Sequence, residues 1–222
     1  MHPALQRLFE RHVASSFDKQ MYLAELIGES AWSFDPIRGT LTFGPRMTWK
    51  VQVLGSVSAR TGLWRWSWAD KKGRTPQALL KVSHAMRRLG EQLEIPELLH
   101  PLVARGETTG TVMAMTASGV FNAQAFYRAP FPRGAVYMLI GDFAYPENPV
   151  TPAVRIPSVL PHVLSRYTPL DHRQALMGYL KYYNLKGDAE GRDLVVRNGT
   201  GAMMRARFDE QDRLTALDPL GG

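Results

Sequence analysis

The chain has 222 residues, of which 45% are hydrophobic, and a formal net charge of +7. That content is ordinary for a folded protein and too high for a disordered one, and no stretch reaches the roughly 18 consecutive apolar residues of a membrane-spanning helix. Zero cysteines exclude disulfides, thiolate catalysis and metal centres built on sulfur.

The first segment predicts a helix, because Leu5, Phe9, Val13, Phe17, Met21 and Ala24 recur at near-fourfold spacing and Gly28 supplies a stop. Strands are predicted over Trp32–Phe34, Thr40–Phe43, Met47–Ser58 and Leu63–Ala69. The turns between them are short enough for an antiparallel meander. Thr75-Pro76 has the grammar of a helix start, with threonine as cap and proline in the first turn. Leu79, Val82, Met86 and Leu89 would form the buried face of that helix, and Gly90 would end or interrupt it.

A second strand group is expected over Thr111–Ala117, Phe121–Tyr127 and Ala135–Ile140, with a bend at Pro130 and Pro132. The proline-rich stretch Tyr145–Pro161 reads as an ordered loop leading into a short helix. A third main helix opens at Thr168-Pro169-Leu170-Asp171, with Asp171 capping its first turn. Asp193–Arg197 and Ala202–Leu217 close the chain as an antiparallel hairpin, with turns at Asn198–Gly201 and Asp209–Asp212. The expected fold is α+β, antiparallel meander sheets packed against three main helical segments. It is read as one domain over residues 1–222, with pseudo-halves about 1–105 and 106–222.

The chemistry is defined mostly by what is missing. None of the six histidines pairs with another at metal-ligand spacing, so no metal site is expected. There is no nucleophile elbow, no phosphate-binding GxxxxGK[ST] loop and no GxGxxG after a strand. Asp35, Asp70 and Asp142 each close a predicted strand, but turn formation accounts for Asp35 and ion pairing for Asp70. The sequence therefore singles out no catalytic residue and implies no cofactor.

One segment stands out. Leu63–Asp70 reads LWRWSWAD, and strand alternation would put Trp64, Trp66 and Trp68 on one face and Arg65 on the other. Between Arg60 and Arg88 there are eight basic residues against the single acid Asp70. The tryptophan face is either core or the wall of an aromatic groove, and core is the favoured reading because Arg65 points away from the rings. As a groove it would stack bases while neighbouring cations held phosphates. The binding candidates are Trp64, Arg65, Trp66, Trp68, Asp70, Lys71, Lys72 and Arg74. The same basic excess, mostly arginine and accompanied by many alanines, is also what a GC-rich bacterial genome encodes.

WSFD (Trp32–Asp35), GTLTFG (Gly39–Gly44), QVLGS (Gln52–Ser56) and LWRWSWAD together resemble an uncharacterised bacterial family known only as a domain of unknown function. The later IPEL (Ile95–Leu98) and ARFDEQDRLTALD (Ala206–Asp218) are in keeping with it. Its members often close the tryptophan strand with Trp-Ala-Asn, where this chain has Asp70. The resemblance implies an α+β fold and brings no reaction, cofactor or catalytic residue.

The favoured function is a non-catalytic binding or interaction module with a protein partner. The alternatives are nucleic-acid binding through the basic, aromatic segment 60–88, and a small-ligand binder or hydrolase with an unrecognised site. The charged opening MHPALQRLFERH lacks the apolar core of a signal peptide, so the expectation is cytoplasmic, with no membrane partner. Oligomeric state is left open.

Overall fold

The computed structural model describes residues 1–70, 73, 75–104, 109–167, 171–199 and 201–220. Helices and wholly antiparallel sheets make the chain α+β. Its residues group into two compact units, 1–9 with 19–147 and 10–18 with 148–222. Helix α1 (Pro3–Ile27) supplies residues to both. Pro3 sits in its first turn, where a missing N–H costs nothing, and His2 Nδ1 accepts from the Ala4 N–H at 3.3 Å. The helix stops at the expected Gly28, whose φ of 48° suits a residue without a Cβ.

The first unit is built on a seven-stranded sheet: β1 (Trp32–Asp35), β2 (Thr40–Phe43), β3 (Met47–Ser58), β4 (Trp64–Trp66), β5 (Leu102–Val103), β6 (Ala125–Phe131) and β7 (Gly134–Ile140). The long strand β3 organises it. Residues 47–50 pair with β2, 51–58 with β7 and 55–57 with β4. The β3–β7 register shifts between Val53 and Gly55, which leaves Leu54 as an extra, bulged residue. Helix α2 (Lys81–Leu93) secures the bulge, because buried Ser83 donates its hydroxyl to the Leu54 carbonyl at 3.0 Å.

Cross-strand register sorts the side chains onto two faces. Leu41, Phe43, Trp49, Val51, Met138 and Ile140 belong to the apolar cluster on one face, which Tyr22 and Leu23 of α1 join. The opposite face carries Trp64, Trp66 and Tyr137, with Trp64 edge-on to both of the others at 5.2 and 5.4 Å. Both tryptophans are fully buried, as the core reading of the sequence expects. Gly55 is required there, because a Cβ at that position would lie 2.3 Å from the Trp64 ring.

Several elements differ from the sequence expectation. Thr111–Ala117 is not a strand but lies within helix α4 (Thr109–Val120). Residues 112–118 are all buried, so the apolar run has no period to distinguish strand from helix, and its alanines and methionines favour helix. The strand after it accordingly starts later, at Ala125. The tryptophan strand ends at Trp66, and Ser67–Ala69 form a 3-10 turn that takes Trp68 off the shared face.

Thr75-Pro76 precedes a single 3-10 turn (Gln77–Leu79), and α2 begins only at Lys81. That helix runs through Gly90 to a left-handed Glu94. Gly90 is a packing glycine, since a Cβ would meet Leu98 of helix α3 (Pro96–Leu99) at 2.6 Å. Helix α5 (Pro152–Arg166) occupies much of the expected loop and carries Pro157 and Pro161 inside it. Complete burial of Ile156, Val159, Leu160 and Val163 offsets the lost backbone hydrogen bonds.

In the second unit Asp171 caps helix α6 (His172–Tyr182) as expected, accepting the Gln174 N–H at 2.8 Å, while Thr168, Pro169 and Leu170 lie outside the described residues. The expected closing strands are β9 (Asp193–Asn198), β10 (Gly201–Phe208) and β11 (Leu214–Pro219), and Thr200 of the expected turn is again outside the described residues. An additional strand, β8 (Lys186–Glu190), pairs with β9; its sequence KGDAE carries no apolar alternation.

The centre of this unit is polar. Asp18, on α1, forms a buried ion pair with Arg155 of α5 and accepts the hydroxyls of Tyr179 and Tyr183 on its other oxygen. Burial, followed by the adjacent Asp18 charge, raises the Tyr179 pKa, and burial with the Asp18 hydrogen bond raises that of Tyr183. Both phenols therefore remain donors. Removing one member of such a pair strands the other charge. Asp18→Ala is expected to lower stability by about 3–5 kcal/mol in urea titration, and the double variant Asp18→Leu/Arg155→Met to recover at least half of that. Equal losses in both variants would mean that the charges contribute little beyond shape.

His172 Nδ1 accepts the Leu214 N–H at 3.0 Å, which requires an unprotonated nitrogen. Burial lowers its pKa, opposed by Asp209 and Asp171 and assisted by Arg213. As pH falls below about 6.5 the unfolded chain takes up this proton first, so stability declines until the folded-state pKa is passed. Melting temperatures between pH 7.5 and 5 should fall more steeply for the wild type than for His172→Gln; parallel curves would contradict this.

Candidate functional site

The apolar face of the seven-stranded sheet is not completely filled. A cavity of about 600 Å3 opens on it, walled by Trp32 and Phe34 of β1, Val53 of β3, Ala129 of β6, and Val136 and Met138 of β7. Strand alternation explains the pairs: positions i and i+2 of β1 and of β7 reach the same side. The bulge explains the polar end. Beyond Leu54 it is Ser56, not Gly55, that stands opposite Val136, and Ser56 in turn pairs with Arg65. Arg65 thus reaches the cavity while Trp64 and Trp66 pack on the other face. Asp70 and Thr75 complete the polar part of the rim.

A smaller depression of about 340 Å3 adjoins it and shares Ser56, Arg65 and Phe131 with it. Arg60, Arg133, Ser58 and Thr61 line the remainder together with Val57, Leu63 and Leu102, and no carboxylate stands in the wall among the described residues. Chain geometry converges the cations. Arg60 lies in the β3–β4 turn, where the Thr61 N–H bonds to Ser58 Oγ at 3.3 Å. Arg133 lies in the β6–β7 turn, held there by the Ala59 N–H on its carbonyl at 2.9 Å. The following residue must be glycine, because a Cβ on Gly134 (φ 149°) would sit 1.9 Å from the Val57 carbonyl oxygen. All three arginines are exposed, and among the described residues none of them pairs with a carboxylate.

Of the residues singled out in the sequence, Arg65 and Asp70 reach the cavity, and Trp66 touches its lining although its ring packs against Trp64 on the opposite face. Trp66 is otherwise a core side chain whose indole N–H donates to the Glu97 carbonyl at 2.8 Å. Trp64 lies wholly in the core, and Trp68 is half-buried beneath the Arg87 guanidinium, 4.8 Å from its ring centre. Lys71, Lys72 and Arg74 lie outside the described residues. Sequence reasoning missed Trp32, Phe34 and Met138, although the first two show the same i, i+2 aromatic spacing as the tryptophan strand. Arg133 gave no signal, because only the β6–β7 pairing with β3 places it beside Arg60. Among the described residues no three histidine or acidic side chains gather as a metal site would require.

The architecture defines an antiparallel α+β unit with an open apolar cavity on its sheet. Residues 6–143 match the family described as "Family of unknown function (DUF6882)", and the chain belongs to that family. Every residue that walls the cavity falls within the matched span. No curated protein and no solved structure matches the chain.

Proposed function

We propose that the first unit is a non-catalytic binding module that takes a small, largely apolar molecule into the cavity on its sheet. The observation that carries this reading is the cavity itself. Its volume lies within the roughly 300–1,000 Å3 of small-molecule sites, and its walls are apolar with a few polar groups gathered at one end. The side chains on this face are large enough to form a closed core, yet Trp32, Phe34 and Val136 remain only half-buried around open space. A sequence-level preference for a protein partner gives way here to a small molecule, because a concave site with aromatic walls encloses a ligand better than it matches a flat protein surface.

Among the described residues the titratable groups on the cavity wall, Arg65 and Asp70, do not form a nucleophile with its base, which favours binding over turnover. Val136→Trp and, independently, Ala129→Leu would place bulk inside the cavity. A neutral, environment-sensitive naphthalene dye such as prodan should bind the wild type saturably at one site with a blue-shifted emission, and at least tenfold more weakly to each variant. Absence of saturable binding to the wild type, or undiminished binding to both variants with unchanged circular dichroism, would overturn the reading.

A further inference from the structure

We infer that the molecule is an amphipathic organic anion, with its apolar body in the cavity and a carboxylate or phosphate head held by Arg60, Arg65 and Arg133. This rests on the cavity being a binding site and adds the chemistry of its ligand. Four observations support it. The arginine-lined depression is continuous with the cavity through Ser56, Arg65 and Phe131, so a single molecule can reach both. The three guanidiniums come from separate segments, the β3–β4 turn, β4 and the β6–β7 turn, each fixed by the backbone contacts of the sheet. The hydroxyls of Ser56, Ser58 and Thr61 stand among them as further neutral donors.

The fourth observation is local charge. Several other arginines are supplied with acids: Arg197 with Asp188 and Glu190, Arg205 with Glu190 and Asp193, Arg207 with Asp218, Arg87 with Glu91. At this opening three cations line one depression with no carboxylate among the described residues of its wall. Like charges brought together repel, and an anion entering between them relieves the repulsion while accepting the planar, forked hydrogen bonds that guanidinium offers to carboxylate and phosphate oxygens. A polyanion such as nucleic acid would need cations spread along a track; here they cluster at the mouth of an apolar cavity, with exposed Leu102 and Phe131 at the rim.

Isothermal titration of decanoate, decyl phosphate and decan-1-ol, all below their aggregation thresholds, tests this on the wild type and on Arg65→Gln and Arg60→Gln/Arg133→Gln. In the wild type the anion should bind at least tenfold tighter than the alcohol at low salt, and the advantage should shrink as salt rises. The stronger of decanoate and decyl phosphate identifies the head group. In the double variant the ratio of anion to alcohol affinity should fall to within about twofold, a comparison internal to each folded protein. If alcohol and anion bind the wild type equally, or the ratio survives in both variants, the anion inference is overturned and the cavity reading stands. If prodan binds but no decyl compound does, the inference is likewise overturned. If neither prodan nor any decyl compound binds, both fall together.

Discussion

The bulge at Leu54 in the middle of β3 determines which side chains reach which face of the seven-stranded sheet. Every residue beyond it is displaced by one position relative to β7, so the side-chain alternation changes sides. Gly55 then falls beneath Trp64, where only a hydrogen fits, and Ser56 and Arg65 turn toward the cavity. A bulge leaves a backbone carbonyl outside the ladder, and buried Ser83 takes up that of Leu54 while accepting the Trp68 N–H. One hydroxyl thus joins the strand, helix α2 and the 3-10 turn that ends the tryptophan strand. Without the bulge a regular β3 would present Gly55 to the cavity and send Arg65 to the core side, an uncompensated charge among tryptophans.

Charge is handled in more than one way along the chain. In the second unit, Asp18 and Arg155 are buried and satisfied by each other, and two tyrosine hydroxyls donate to the Asp18 carboxylate. Along β8–β11 the arginines lie in a lattice of surface acids, each such exposed pair worth little alone. In the first unit Arg60, Arg65 and Arg133 line one depression with no carboxylate among the described residues of its wall, while Asp70 lies on the rim of the adjoining cavity. Three cations lining one depression, none of them paired with a carboxylate among the described residues, are the feature on which the ligand chemistry proposed above is built.

Much of the architecture was legible in the residues. Strong periodicity with a glycine stop located α1, and turn residues bracketing β-branched and aromatic runs located β2 and β3 to the residue. Buried segments were harder. Thr111–Ala117 has no charged residue and only two threonines, too few to set a period, and the Ala/Met composition that makes it helical weighs little against a short apolar run. Pro157 and Pro161 disguised α5, since its stability comes from four fully buried aliphatics that tertiary packing alone reveals. The candidate site was legible only at its edge. Arg65, Trp66 and Asp70 drew notice because they are close in sequence, whereas Trp32, Met138 and Arg133 reach the same cavity through strand pairing, which a linear reading does not supply.

The most direct measurement is nuclear magnetic resonance of the protein carrying 13C-methyl methionine. Met138 lies in the cavity wall, whereas Met177 is exposed on α6 and Met86 is buried away from the lining. Titration with decanoate should shift the Met138 methyl resonance saturably and leave those of Met177 and Met86 in place. Saturable shifts at Met177 with none at Met138 would contradict the account, because the anion would then be held somewhere other than the cavity on the sheet.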